Sequence, residues 1–192
     1  MKQVTIISGK GGTGKTTLTS AFASLSKDAV FADCDVDASD LHLILKPEVK
    51  KTKGFRGMDI ANIDLDICTK CGTCVQHCQF DAIDEEFSVR YDSCEGCGVC
   101  AYICPVHAVT MKKRDSGIIY ESVTRFGPFI HARLYTAEEA SGKLVTEVRN
   151  LAKEVARRNN KTLILIDGPP GIYILSMEDQ NGVIREMKVV KE

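Results

Sequence analysis

Val4-Thr5-Ile6-Ile7-Ser8-Gly9-Lys10-Gly11-Gly12-Thr13-Gly14-Lys15-Thr16-Thr17 decides the fold. Its first five residues are a short β-rich run ending in glycines, the pattern of a buried strand. Beyond Gly14, the residues Leu18, Ala21, Phe22 and Leu25 recur at i, i+3, i+4 and i+7, which predicts an amphipathic helix. Between them, residues 9–16 fit G-x-x-x-x-G-K-[ST], a phosphate-binding loop in its required strand-to-helix setting. Phosphate oxygens must come close to several backbone N–H groups, so the loop needs residues without a Cβ. The helix N-terminus adds a dipole that favours anions. Such a loop puts Lys15 on the β and γ phosphates of a nucleoside triphosphate and the Thr16 hydroxyl on Mg²⁺.

Working outward, Ala29-Val30-Phe31-Ala32 reads as a second strand ending at Asp33. Strand, crossover helix, strand is the unit of a parallel sheet. Late in the chain Thr136 and Glu139 form a capping-box pattern. Leu144, Val148, Leu151 and Val155 carry a helical stripe to about Arg158, and Asn159-Asn160 can stop it. Residues 162–166 then read as a strand running into Asp167-Gly168-Pro169-Pro170-Gly171. The host is α/β, with its polar residues at the C-terminal ends of strands, where open parallel sheets bind ligands. Residues 112–135 read as a return to the host through a hairpin, with Lys112-Lys113-Arg114 a solvated turn and a second turn at Gly127-Pro128. The tail, residues 183–190, has a short amphipathic pattern that reads as a minor candidate for a surface helix.

An internal repeat interrupts the host. Residues 66–83 match 92–109 at an offset of 26 with all four cysteines in register. Cys68-x₂-Cys71-x₂-Cys74-x₃-Cys78 and Cys94-x₂-Cys97-x₂-Cys100-x₃-Cys104-Pro105 are the bacterial two-cluster ferredoxin runs, in which the fourth cysteine of each crosses to the other cluster. One [4Fe–4S] cluster is therefore expected on Cys68, Cys71, Cys74 and Cys104, and the other on Cys94, Cys97, Cys100 and Cys78. Gln79 stands where proline usually follows the fourth cysteine, a change that costs no ligand. Zinc on Cys₄ sites is the competing metal and a disulfide set the competing covalent reading. Cys34 has no second thiol nearby in sequence, and His42, His77, His107 and His131 show no metal spacing; all five read as structural or solvated.

Composition agrees with this division. Residues 60–110 hold eight acids, two bases and eight of the nine cysteines, a balance of −6 against +5 for the rest. With 44% hydrophobic and 27% charged residues, wholesale disorder is excluded, and no apolar run reaches a membrane span. A net charge of −1 predicts neither nucleic-acid nor membrane binding, and no nucleic-acid or membrane partner is expected; the N-terminus lacks a secretory signal, so a cytoplasmic protein is expected. The domains are expected at 1–59 (host, first part), 60–110 (cluster insertion) and 111–192 (host, second part).

Lys10-Gly11-Gly12-Thr13-Gly14-Lys15-Thr16-Thr17 resembles the deviant Walker A of the MinD/ParA superfamily of P-loop ATPases. Residues 31–41 resemble that family's switch I, and Asp167-Gly168-Pro169-Pro170-Gly171 its switch II. Together with the insertion, the order resembles the ferredoxin-containing, cobyrinic-acid-diamide-synthase-like members. The resemblance implies a P-loop NTPase parallel sheet carrying an inserted α+β ferredoxin-like domain. It implies that ATP and Mg²⁺ bind on residues 9–17, that Lys10 reaches the nucleotide of an opposite subunit in a nucleotide-dependent homodimer, and that Asp35 orients the attacking water. Asp33 and Asp167 would contact Mg²⁺. It also implies a redox partner protein, and a C-terminal portion longer than the one here, since the resemblance runs from residue 2 to about 171. Alternative functions are an iron–sulfur carrier or scaffold of the Mrp type and a redox-sensing nucleotide-binding protein with little turnover.

Overall fold

A computed structural model describes residues 1–8, 10, 12–36, 38–135 and 141–169, with the backbone of two later strands. In chain order the elements begin β1 (Lys2–Ile6), α1 (Lys15–Leu25), β2 (Ala29–Asp33), α2 (Leu41–Leu45) and β3 (Glu48–Phe55). There follow β4 (Met58–Ile63), α3 (Thr73–Gln76), α4 (Val99–Tyr102), β5 (Val109–Arg114), β6 (Gly117–Thr124) and β7 (Gly127–Leu134). The last are α5 (Ser141–Arg158), β8 (Leu163–Asp167), β9 (Tyr173–Glu178) and β10 (Ile184–Val189). Two compact units result: Met1–Lys53 with Ile118–Leu134 and the chain from Ser141 onward, and Gly54–Gly117.

The first unit is built on a six-stranded sheet of order β1-β8-β2-β7-β6-β3. β1 with β8, β8 with β2 and β2 with β7 are all parallel. Ala29, Phe31, Phe129 and Leu165 pack with Ala23 of α1 and with Leu41 and Leu45 of α2. Alternation along each strand turns Val30, Ile130 and Ile164 to the other face, where α5 packs on β2, β7 and β8. On α5 the buried residues are Leu144, Val148, Ala152, Val155 and Ala156, close to the predicted stripe. Asn160 stops the helix in the left-handed region at φ 52. The predicted cap at Thr136 and Glu139 lies outside the described residues.

Four expectations are corrected here. The run read as a buried strand forms β1 at the edge of the sheet, where Lys2 to Thr5 are exposed and Ile6 is half-buried. On α1 the buried face is Lys15, Thr19 and Ala23, while Leu18, Phe22 and Leu25 are exposed. The helix turns its polar face inward because that face must meet the ends of the strands. The hairpin turn lies at Arg125 and Phe126, and Gly127 already begins β7 with its φ at 145. The tail predicted as a possible surface helix contains β10, antiparallel to β9. Among the described residues no helix is long and apolar enough to cross a membrane.

The second unit carries the repeat in its hydrogen bonds. Asp64 N donates to Ala108 O, and 26 residues on, Arg90 N donates to Ala82 O. Cys68 N donates to Asp64 O as Cys94 N does to Arg90 O. Ile63 pairs with Val109 in the β4–β5 ribbon, and Val89 bridges Ile83. Gly72 and Gly98 are left-handed caps of the two short helices α3 and α4. Sequence duplication has thus produced two near-equivalent halves, each closing a loop of cysteines.

Candidate functional site

In the first unit, β2 and β8 end side by side, with Asp33 and Asp167 in register across the parallel pair. Lys15 and Thr16 open α1 immediately after Gly14, whose left-handed φ of 84 turns the chain from loop to helix. Thr19 Oγ1 donates to Asp167 Oδ1 at 3.2 Å, and the Thr16 hydroxyl lies near enough to the same carboxylate to favour its charge. Lys15 Nζ lies 3.9 Å from Asp35 Oδ2. Asp33 accepts from Ser39 Oγ at 2.8 Å, from Asp35 N at 3.1 Å and from Leu41 N at 3.3 Å, so its carboxylate folds the segment after β2 around itself. Lys15, Thr16, Asp33, Asp35 and Asp167 are therefore brought together. Lys10, Thr13 and Thr17 are exposed, with Thr13 Oγ1 donating to Lys10 O at 3.3 Å. Gly12, like Gly14, is left-handed, at φ 74; Gly9 and Gly11 lie outside the described residues.

Carboxylates this buried are costly to ionise. Burial, with the neighbouring Asp167, pushes Asp33 up to about 7 against the hydrogen bonds that favour its charge. Burial also raises Asp167, opposed by Thr16, Thr19 and Lys15. Asp167 Oδ2 is buried with no hydrogen-bond partner among the described residues. Two adjacent acids held above their ordinary range, one with an orphaned oxygen, fit a hard divalent cation that supplies the missing charge and ligand. Next to them burial pushes the Cys34 thiol up to about 12, which leaves it inert at neutral pH.

In the second unit Cys78, Cys94, Cys97 and Cys100 line one pocket with Gly96, Gly98 and Met111. The crossover set inferred from spacing thus shares one lining. Burial raises Cys100, as do the neighbouring thiols Cys94 and Cys97; in the other half, burial with Cys68 and Cys71 does the same to Cys74. Four thiols on one lining are a donor set suited to a cationic iron core. Backbone amides already point at the sulfurs: Lys70 N to Cys68 Sγ at 3.4 Å, Ala82 N to Cys78 Sγ at 3.3 Å and Ala108 N to Cys104 Sγ at 3.2 Å. Gly96 lies at φ 64, and a Cβ there would sit 2.3 Å from Asp59 O. Only glycine can make this turn beneath β4.

Arg114 is the functional candidate that the sequence missed. It is not in a solvated turn: it ends β5, paired with Met58, and is 5% exposed. Its guanidinium donates to Tyr91 O at 2.7 Å, to Cys94 O at 3.1 Å and to Met58 Sδ at 3.4 Å, with the Tyr91 ring 4.9 Å away. Lys112 and Lys113 stay exposed, and Lys113 pairs with Asp59. The strand alternation of Lys112, Lys113 and Arg114 was the only available signal, and a run of three bases conceals it.

Residues 60–105 match the family model described as a 4Fe-4S dicluster domain. The chain carries that iron–sulfur, ferredoxin-like domain and, in addition, a mixed α/β unit whose central sheet is mostly parallel. It is also 41% identical, over 173 residues, to an uncharacterized protein of Methanocaldococcus jannaschii. The match takes in 88% of this chain, and the chain spans 60% of the length of that relative.

Proposed function

We propose that the chain is an ATP-dependent iron–sulfur protein in which nucleotide state at the parallel sheet governs electron transfer through two [4Fe–4S] clusters. The observation that carries the nucleotide half is the convergence of Lys15, Thr16, Asp33 and Asp167 where β2 and β8 end. Mg²⁺ bound there would neutralise phosphate charge, held through Thr16, Asp33 and Asp167. Lys15 and Asp35 hold each other in an ion pair. A phosphate that competes for Lys15 frees Asp35 to orient water, so binding itself arms the base. Lys10, exposed on the loop, is free to reach a second copy's nucleotide in a homodimer.

The cluster half rests on eight thiols in two complete runs, which would each supply one-electron storage when loaded. Burial of Cys74, Cys94 and Cys104 favours retained clusters over a delivered cargo. Coupling is supported by chain order, since the insertion separates the strand ending in Asp33 from the strand ending in Asp167. The insertion leaves through β3 and returns through β6, which are neighbours in the sheet. A redox partner protein completes the circuit.

Nucleotide binding and turnover by anaerobically purified protein, oxidised and dithionite-reduced, test this. Binding lost in Lys15→Met with iron content unchanged, and an ATPase rate that depends on cluster redox state, are expected. Equal rates in both states remove the coupling, and wild-type protein that ignores ATP removes the nucleotide half.

A further inference from the structure

Resting on the cluster assignment above, we propose that Arg114 makes the two clusters electrostatically unequal, so that the one held by Cys78, Cys94, Cys97 and Cys100 accepts the first electron. The repeat makes the comparison internal to the molecule. The Met58–Arg114 pair stands five residues beyond the Ile63–Val109 pair of the ribbon, whereas in the other half the chain turns at residues 84–88 directly beyond the matching Ile83–Val89 bridge, so Arg114 has no counterpart there. In its own half Arg114 places a buried guanidinium on the carbonyl of a cluster ligand, at 3.1 Å from Cys94 O. The turn in the other half, residues 84–88, carries Asp84, Glu85 and Glu86 and no base. The strand-pairing and amide-to-sulfur hydrogen bonds recur in both halves, whereas among the described residues of this unit the buried cation occurs in one half alone.

Adding an electron makes a cluster more negative, and a nearby buried cation stabilises that state while an anion opposes it. The amide-to-sulfur bonds from Ala82 and Ala108 occur in both halves and cancel. One further amide, Lys70 N, points at Cys68 Sγ and works the other way, but at 3.4 Å it contributes a partial charge against a whole one. Arg114 is a positioning residue in this account: it touches the backbone of a ligand and acts on the cluster through space and through the Cys94 turn.

The test is an anaerobic redox titration of the full chain with dithionite as the one-electron donor, followed by electron paramagnetic resonance. Two separated midpoints are expected in protein carrying about eight irons. Arg114→Met is expected to move the higher midpoint downward and leave the lower one in place, while Arg114→Lys keeps most of the separation. Added to Cys97→Ala, which leaves only the Cys68-side cluster, Arg114→Met is expected to change nothing further. If Arg114→Met fails to hold both clusters, Arg114→Gln serves in its place and is expected to give the same downward shift of the higher midpoint. A single shared midpoint, equal movement of both clusters, or an unmoved higher midpoint in the variant that holds both clusters would overturn the inference. Protein without iron would instead remove the cluster assignment on which it rests.

Discussion

Gly96→Ala and Gly98→Ala form a matched pair that separates backbone strain from collision. Both glycines occupy the left-handed region, at φ 64 and φ 78, and both adjoin Cys97. An L side chain in that region costs about 1–2 kcal/mol. At Gly98 that is the whole cost, because an added Cβ meets nothing within 4 Å. At Gly96 the Cβ would also stand 2.3 Å from Asp59 O and 3.0 Å from Asp59 C, backbone that β4 holds in its ribbon with β5. Relieving such an overlap adds about 1–3 kcal/mol, as overpacking does elsewhere. In a domain of this size each kcal/mol lowers the melting temperature by about 4–8 °C. Anaerobic calorimetry is therefore expected to place Gly96→Ala at least about 4 °C below Gly98→Ala. Iron counting is expected to find loss from Gly96→Ala first, since the displaced turn carries Cys94 and Cys97. Equal melting and equal iron in the two variants would refute the claim that β4 dictates glycine at this turn.

Three further outcomes follow from the geometry. Cys78→Ser combined with Cys97→Ala is expected to lose no more iron than either alone, whereas Cys78→Ser with Cys71→Ala loses both clusters, because Cys78 belongs with the second run; iron and sulfide counts decide it. Lys70 occupies at φ 55 the place that Gly96 holds in the other half, so Lys70→Gly is expected to stabilise the cluster unit by about 0.5–1 kcal/mol in denaturant titrations. Asp33 sits at about 7 when folded and 3.8 when unfolded, so between those values the folded chain binds the extra proton. Without Mg²⁺ or nucleotide its contribution then falls as pH rises through this window, by up to about 4 kcal/mol. Comparing Asp33→Asn with wild type at pH 5 and pH 8 isolates that slope from His131, whose burial lowers it to about 4.

The residues of both candidate sites were readable because their chemistry is local. A glycine loop between strand and helix, and thiols spaced to wrap a cluster, need only a few neighbouring residues to declare themselves. The parallel α/β layout was also readable, from buried runs such as Ala29-Val30-Phe31-Ala32 that end in acids. The facing of α1 was not. Hydrophobic periodicity assigns Leu18, Phe22 and Leu25 to the core, yet Thr19 is the buried residue, because the sheet end beneath the helix presents Asp167 and a hydroxyl satisfies it. Arg114 was hidden for a related reason: in sequence it is the last of three bases, and only the β4–β5 pairing brings it to the Cys94 carbonyl. Sequence by itself therefore determined which groups exist and at what spacing. Tertiary structure decided which of them meet. Asp33 and Asp167 are 134 residues apart, and no local signal sets their registry; the parallel hydrogen-bond ladder between β2 and β8 puts the two carboxylates in one dry space, where burial changes their charge.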